Sequence, residues 1–435
     1  MRKTMGFVLL FSVIFSLGVY AQKTSLFVLN YIDATAPGYA EDQAIWQKFM
    51  DDNPDITIVK EELSNEPFHQ KLAAYVAAGT VPDVMYMYPS GRSTILHEQK
   101  LVKDLAPLLG KDFLSNFMPS VVDPTGQKGK YLAELPQSVC YSTVMFTNTK
   151  LLADLGLEVP KTYQELKAMV PKLKAKGIRP LLMANKDDWV MQSCLFSTIV
   201  GRMAGDEWID RALAGKAKFT DKEFVKTLEF VETMYKDGVL GRDTIQISYG
   251  KAPALFAAGK AAFFIDGDWR QNAFLTDKAS GVALIDPKKQ QTDFQYFNFP
   301  AIPGEKNPGV VSAILGCGYG ISSSIPAGSA KEKAAVRLVK YLYSADVQRQ
   351  YLELGKYITS RKDVKSDKLE PFTAKMSQYY ASIEKTCYVL DGAMDTSIYT
   401  PLNLGLQQIG LGTKTPMQVA ESVQAATDVW LASRK

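Results

Sequence analysis

The 435-residue chain has only two histidines, His69 and His97, and four cysteines, Cys140, Cys194, Cys317 and Cys387. Each scarcity removes a class of chemistry. Two lone imidazoles in segments that read as helical supply neither a His-based zinc site nor the base of a Ser-His-Asp triad. No Cys-x-x-Cys pair occurs, and a chain this long has core enough without disulfide staples. Buried thiols are therefore the favoured reading, although four cysteines permit three full pairings. Charge is nearly balanced: 50 basic against 46 acidic residues leave +4, with the basic residues scattered among acids. A nucleic-acid groove needs a concentrated basic face, so that class is set aside.

Long apolar runs are missing beyond the first residues. Gly6 to Tyr20 is apolar, follows Arg2 and Lys3, and falls short of the roughly 20 residues a membrane-spanning helix needs. Val19-Tyr20-Ala21 then offers the small residues of a cleavage site, so residues 1–21 read as an export signal, with the mature chain starting at Gln22. The residue directly after the cleavage point is Gln22 and not cysteine, which argues against a lipid anchor, and release into a periplasm is expected. The length favours two domains over one core.

What is present is a strand and helix rhythm. Ser25 to Asn30 reads as a strand, a helix follows to about Asp51 with Ile45, Trp46 and Phe49 on one face, and Ile56 to Glu62 is a second strand. Asn65-Glu66-Pro67 starts a helix with Asn as cap, Gly79 ends it, and Pro82 to Tyr88 is the next strand. This order implies right-handed crossovers and a parallel sheet. After a break the rhythm returns: a capping box at Thr162 and Glu165, a strand over Leu181 to Ala184, a second box at Thr220 and Glu223, and a final helix opening at Thr415-Pro416-x-Gln418. Leu132 to Asn148 and Val310 to Ser323 are apolar and β-prone, and read as strands crossing between domains. Gly316, Gly318 and Gly320 permit close backbone approach there.

In parallel sheets, ligands gather beyond the carboxyl ends of strands. Asn30 and Tyr31 follow the first strand, Tyr88, Ser90 and Arg92 follow Pro82 to Tyr88, and Asn185, Asp188 and Trp189 follow Leu181 to Ala184. The most informative end is Ala261 to Arg270, AAFFIDGDWR: an apolar strand that breaks into Asp266, Asp268, Trp269 and Arg270. Rings stack on the C–H faces of sugars while carboxylates, amides and guanidinium groups bind hydroxyls, so this mixture suits a polyol. Plainer roles compete: Trp269 as core, Asp268 with Arg270 as a surface ion pair, and Asp187 and Asp188 as helix caps. Trp46, Trp208 and Trp430, at helical spacing, read as structural.

Three stretches resemble the extracellular sugar-binding proteins of ABC importers, solute-binding protein family 1 of the maltose-binding type. They are AAYVAAGTVPDVMYMYPSGR (73–92), GKYLAELPQSVCYSTVMFTNTKLLADLGLEVPKTYQELKAMVPKL (129–173) and ALFAAGKAAFFIDGDWR (254–270). The resemblance implies an α/β, two-lobed periplasmic-binding-protein fold with crossing hinge strands. Its expected lobes are 22–138 with 316–356, and 139–315 with 357–435. It further implies that Trp269 is the stacking tryptophan, that Tyr141, Asp395 and Tyr399 join the ligand residues, and that a sugar or oligosaccharide passes to an ABC permease. A monomer without cofactor, metal or catalysis is expected. Lobe closure by hinge bending is expected too, and Cys140 and Cys317, on two crossing strands, are placed where a disulfide is conceivable. The rivals are an exported glycoside hydrolase, disfavoured because Asp266 and Asp268 share one short loop, and the same fold binding a polyamine, phosphate ester or metal chelate.

Overall fold

The computed structural model describes residues 23–88, 93–123, 130–278 and 280–434. The expected export signal, Ser90 and Arg92 lie outside the described residues. In chain order the strands are β1 (Thr24–Tyr31), β2 (Ile56–Leu63), β3 (Val84–Met87), β4 (Leu135–Pro136), β5 (Val139–Tyr141) and β6 (Val144–Asn148). They continue with β7 (Arg179–Leu182), β8 (Ala261–Asp266), β9 (Phe294–Phe297), β10 (Val311–Leu315), β11 (Gly318–Ile321) and β12 (Thr386–Tyr388).

Among the described residues these strands form three sheets, and two of them anchor separate lobes. The first has the order β2-β1-β3-β11-β4 and the second β7-β8-β6-β9, while β12-β10-β5 forms a smaller sheet. β1 pairs in parallel with both β2 and β3, as helical crossovers dictate. Leu26, Val28, Trp46 and Phe49 build one core with Leu338 and Leu342 of the helix Ala330–Leu342. Phe146, Leu166, Leu228 and Phe264 build the other. The fold is the two-lobed α/β architecture expected from the sequence, and among the described residues no helix is long and apolar enough to cross a membrane.

The crossings hold because small residues let backbones touch. Leu132 to Asn148 carries β4, β5 and β6, and Val310 to Ser323 carries β10 and β11, so the chain changes sheet within a few residues in each stretch. A Cβ on Gly318 would lie 2.1 Å from the Leu135 carbonyl oxygen, and one on Gly316 would lie 2.7 Å from that of Ser138. Only glycine fits at either place. A buried hydroxyl network fastens the second lobe's side: Ser312 Oγ lies 2.6 Å from Ser142 Oγ, 2.9 Å from Thr143 Oγ1 and 2.9 Å from Thr198 Oγ1. Ser312→Ala removes the shared centre of three hydroxyls, with an expected loss of about 1–2 kcal/mol in denaturant unfolding.

Local signals fared unequally. The capping boxes at Thr162 with Glu165 and at Thr415 with Gln418 are both formed. Asn65 is not the cap of its helix; Ser64 precedes it in extended backbone, and Asn65 itself takes φ 53°. Asp221, one residue after Thr220, stands at the N-cap of the helix Lys222–Lys236 without a side-chain cap bond, its carboxylate accepting the Lys218 N–H instead. All four cysteines are free thiols, Cys194 and Cys387 buried and Cys140 and Cys317 half-buried.

Candidate functional site

The carboxyl ends of the key strands meet at the crossings. Met87 at the end of β3 pairs with Gly318, directly after one crossing, and Asp266 at the end of β8 pairs with Val144, directly after the other. The residues that follow β3 and β8 therefore lie beside the two chain crossings.

At the end of β8 the two carboxylates turn inward and the indole stays half-exposed. Every residue of β8 is buried, Asp266 completely. Its Oδ2 accepts from Arg270 Nε at 2.9 Å, and its Oδ1 accepts from the Gly267 N–H at 2.8 Å and from the Tyr249 hydroxyl at 3.3 Å. The Cys194 thiol donates to the same carboxylate at 3.6 Å, delivered by a π-helical turn, Gln192–Phe196. Asp268, 4% exposed, accepts from the Tyr141 N–H at 2.6 Å and bonds the Tyr380 hydroxyl. Burial raises its carboxyl to about 7, against the opposing pull of those donors. The sequence reading placed both carboxylates toward a ligand; a strand end buried on all sides instead obliges them to find partners within the protein.

Tyr249, which the sequence reading missed, organises the wall. Arg270 lies with its guanidinium carbon 3.3 Å from the Tyr249 ring centroid. Trp269 Nε1 donates to the Tyr249 hydroxyl at 2.6 Å, and Trp189 packs 4.9 Å from Tyr249, ring centre to ring centre. Asp187 fixes the tyrosine's backbone by accepting its N–H at 2.8 Å. The indole of Trp269 lies flat over Gly267, where an added Cβ would meet Cη2 at 2.2 Å. Gly267 has φ −74°, so alanine is free of backbone strain there and acts by displacing the ring. Gly267→Ala is expected to weaken ligand affinity several-fold while altering tryptophan fluorescence, as read by titration of the two proteins side by side.

The remaining expected residues divide. Tyr141 is half-buried, edge-on to Tyr380 at 4.6 Å. Asn185 is buried, its amide nitrogen donating to Tyr235 and Thr244 while its Oδ1 has no hydrogen-bond partner. Asp188 is half-buried before the short helix Trp189–Met191 and makes no side-chain cap bond. Asp395 caps the helix Thr396–Leu411, and Tyr399 lies in that helix's buried face, 6% exposed. In the first lobe Asn30 is 1% exposed and bonded to Glu62 and to the Tyr319 hydroxyl, so it braces the strand ends. Tyr31 stacks on Tyr86 at 5.5 Å and meets Tyr88 at 6.0 Å, a half-buried cluster just beyond β1 and β3. Aromatic side chains thus gather beyond strand ends of both larger sheets. Among the described residues no group of three or more His, Cys, Asp or Glu side chains is placed to hold a metal ion.

The model of the family described as bacterial extracellular solute-binding protein matches residues 33–349. A multiple sugar-binding protein of Streptococcus mutans is 25% identical over 329 residues, spanning 72% of this chain and 73% of that protein. A structure from work on xylan utilization by the thermophilic bacterium Caldanaerobius polysaccharolyticus superposes with a TM-score of 0.81 at 22% identity, covering 92% of this chain and 99% of that one. A chitin oligosaccharide binding protein does so with a TM-score of 0.80 at 22% identity, covering 95% and 100%.

Proposed function

We propose, since the chain belongs to the family of bacterial extracellular solute-binding proteins, that its cleft captures a sugar or oligosaccharide and hands it unbroken to the permease of an ABC importer. The observation that carries this reading is the aromatic wall of Trp189, Tyr249 and Trp269 at the end of β8. A flat indole held from beneath by Gly267 and from its N–H by Tyr249 is a rigid platform for the C–H face of a pyranose. Tyr141 from the second lobe and Tyr31 and Tyr88 from the first extend the contact surface, and Ser90 and Arg92, which follow Tyr88 in sequence, are the polar residues proposed to join them.

The carboxylates act through others in this reading. Asp266 holds Arg270 and Tyr249, Asp268 holds Tyr141, and Asn30 and Asn185 brace their strand ends; Arg270 presents a guanidinium already neutralised by Asp266. That suits a neutral polyol better than an anion or a cation. It also speaks against hydrolysis, because a glycosidase needs two carboxyl groups open to the scissile bond, and these are bonded to the protein. The expected lobe limits, 22–138 with 316–356 and 139–315 with 357–435, enter the proposal; the change of sheet between β4 and β5 and between β10 and β11 supports them. The protein acts as a monomer in the periplasm, after removal of residues 1–21.

A thermal-shift screen against mono- and oligosaccharides, a phosphate ester and a polyamine tests the reading. A ligand at 100 times its Kd adds about 2.7 kcal/mol of stability. An oligosaccharide is expected to give the largest shift and to be recovered intact after incubation. A shift only with the phosphate ester or polyamine, or release of more than one cleaved product per protein, would overturn it.

A further inference from the structure

Beside the wall, one hydroxyl proton is claimed by two acceptors. The Tyr380 hydroxyl, on the helix Pro371–Ser382, lies 2.9 Å from the Val139 carbonyl oxygen and also within bonding distance of Asp268 Oδ2. A phenol has one proton to donate. Were Asp268 ionised, Tyr380 would satisfy only one of the two, leaving its own lone pairs against the other oxygen. A proton on Asp268 Oδ2 removes the conflict: Oδ2–H donates to Tyr380, Tyr380 donates to Val139, and the same Oδ2 accepts the Tyr141 N–H through a remaining lone pair.

We propose that Asp268 is a protonated carboxylic acid whose proton, passed as a hydrogen bond through Tyr380 to Val139, positions the crossing strand β5 against the base of the Trp269 loop. The titratable groups around it are Tyr141 and Cys140 on β5, Tyr379 and Tyr380 on the helix, and Asp266 at the end of β8. Burial raises the tyrosines and the thiol, so they stay neutral, and Asp266 is an acid; none of these groups supplies positive charge to hold a carboxylate at Asp268. The direction found for Asp268, upward to about 7 through burial, agrees with the proton count from geometry. Trp269 follows directly, so the proton fixes the start of the stacking platform. That last consequence rests on the sugar-binding reading; the proton itself does not.

The test therefore uses the ligand-free protein, so that its failure and the failure of the sugar reading are told apart. Asp268→Asn cannot ionise and removes the carboxyl group; because the one oxygen Oδ2 meets both Tyr141 and Tyr380, the amide there satisfies only one of them. Infrared difference spectra of wild type against D268N are expected to show a carboxylic acid C=O band at pH 6 that fades as pH is raised to 9. Its absence at pH 6 would overturn the proposal. Melting curves supply a second readout with a fixed sign. The folded carboxyl keeps a proton that the unfolded one releases near its ordinary value of 3.8, so the stabilisation is fully present below that pH and is lost as pH rises toward 7. Relative to D268N, the folded-to-unfolded ratio of the wild type is expected to fall by up to about tenfold per pH unit between about pH 4 and 7, then level off. Glu134, raised to about 8 by burial, titrates in both proteins and cancels in the comparison. A difference that is flat or rises with pH contradicts the proposal. If D268N does not fold, Tyr380→Phe takes away the acceptor of the Asp268 proton, and the C=O band must shift; an unmoved band sinks the idea equally.

Discussion

Asp266→Ala is expected to cost about 3–5 kcal/mol of folding stability, the loss typical of removing one partner from a buried ion pair. The carboxylate is fully buried, and Arg270, whose Nε it holds at 2.9 Å, is itself only 9% exposed. Its loss leaves a guanidinium beneath Tyr249 without counter-charge, and Arg270 already has one nitrogen, Nη2, lacking a hydrogen-bond partner. Tyr249 and the Gly267 N–H lose an acceptor at the same time. The signature that separates this from simple cavity formation is a double-mutant cycle in urea. Arg270→Met in the Asp266→Ala background is expected to recover part of the loss, because no uncompensated charge remains. If the double variant is less stable than Asp266→Ala by the full cost of Arg270→Met alone, the two residues are uncoupled and the buried-pair reading fails.

Trp269→Ala is expected to weaken sugar binding by about 1–3 kcal/mol, roughly five- to 150-fold in Kd, with little change in melting temperature. The indole is only partly buried against the second core, so truncation is expected to cost little core packing. The Tyr249 hydroxyl, which receives the indole N–H at 2.6 Å, loses a donor but keeps Asp266 as an acceptor. Calorimetric titration with the best oligosaccharide from the screen measures the effect. Trp269→Phe, which keeps a ring and drops the bond to Tyr249, is expected to fall between. Unchanged affinity in the alanine variant would show that sugar rings rest elsewhere.

Much of the fold was legible because its signals are local. Capping boxes are four-residue patterns, and the strand over 261–266 announces itself by an unbroken apolar run. The crossing stretches showed as apolar segments without helical period, and their glycines mark where backbones touch. Segment limits slipped by one residue at Ser64 with Asn65 and at Thr220 with Asp221, where no side chain holds the cap. The chemistry beyond β8 was only partly legible. That aromatic and charged residues cluster beyond β8 follows from sequence; which of them face solvent depends on partners far away in the chain. Asp268 turns inward because Tyr141 lies 127 residues before it and Tyr380 112 after it. Asn30 is claimed by Tyr319, 289 residues on. Tyr249 sits in a short irregular segment between helices, where no periodicity points to it, and only the fold brings it beneath Arg270.

The most direct test is a crystal structure of the protein with a saturating oligosaccharide. The account predicts a pyranose ring parallel to the Trp269 indole at van der Waals distance, about 4 Å, with Asp266 and Asp268 still bonded within the protein. A sugar bound away from Trp269, or held directly by the Asp266 carboxylate, would contradict it.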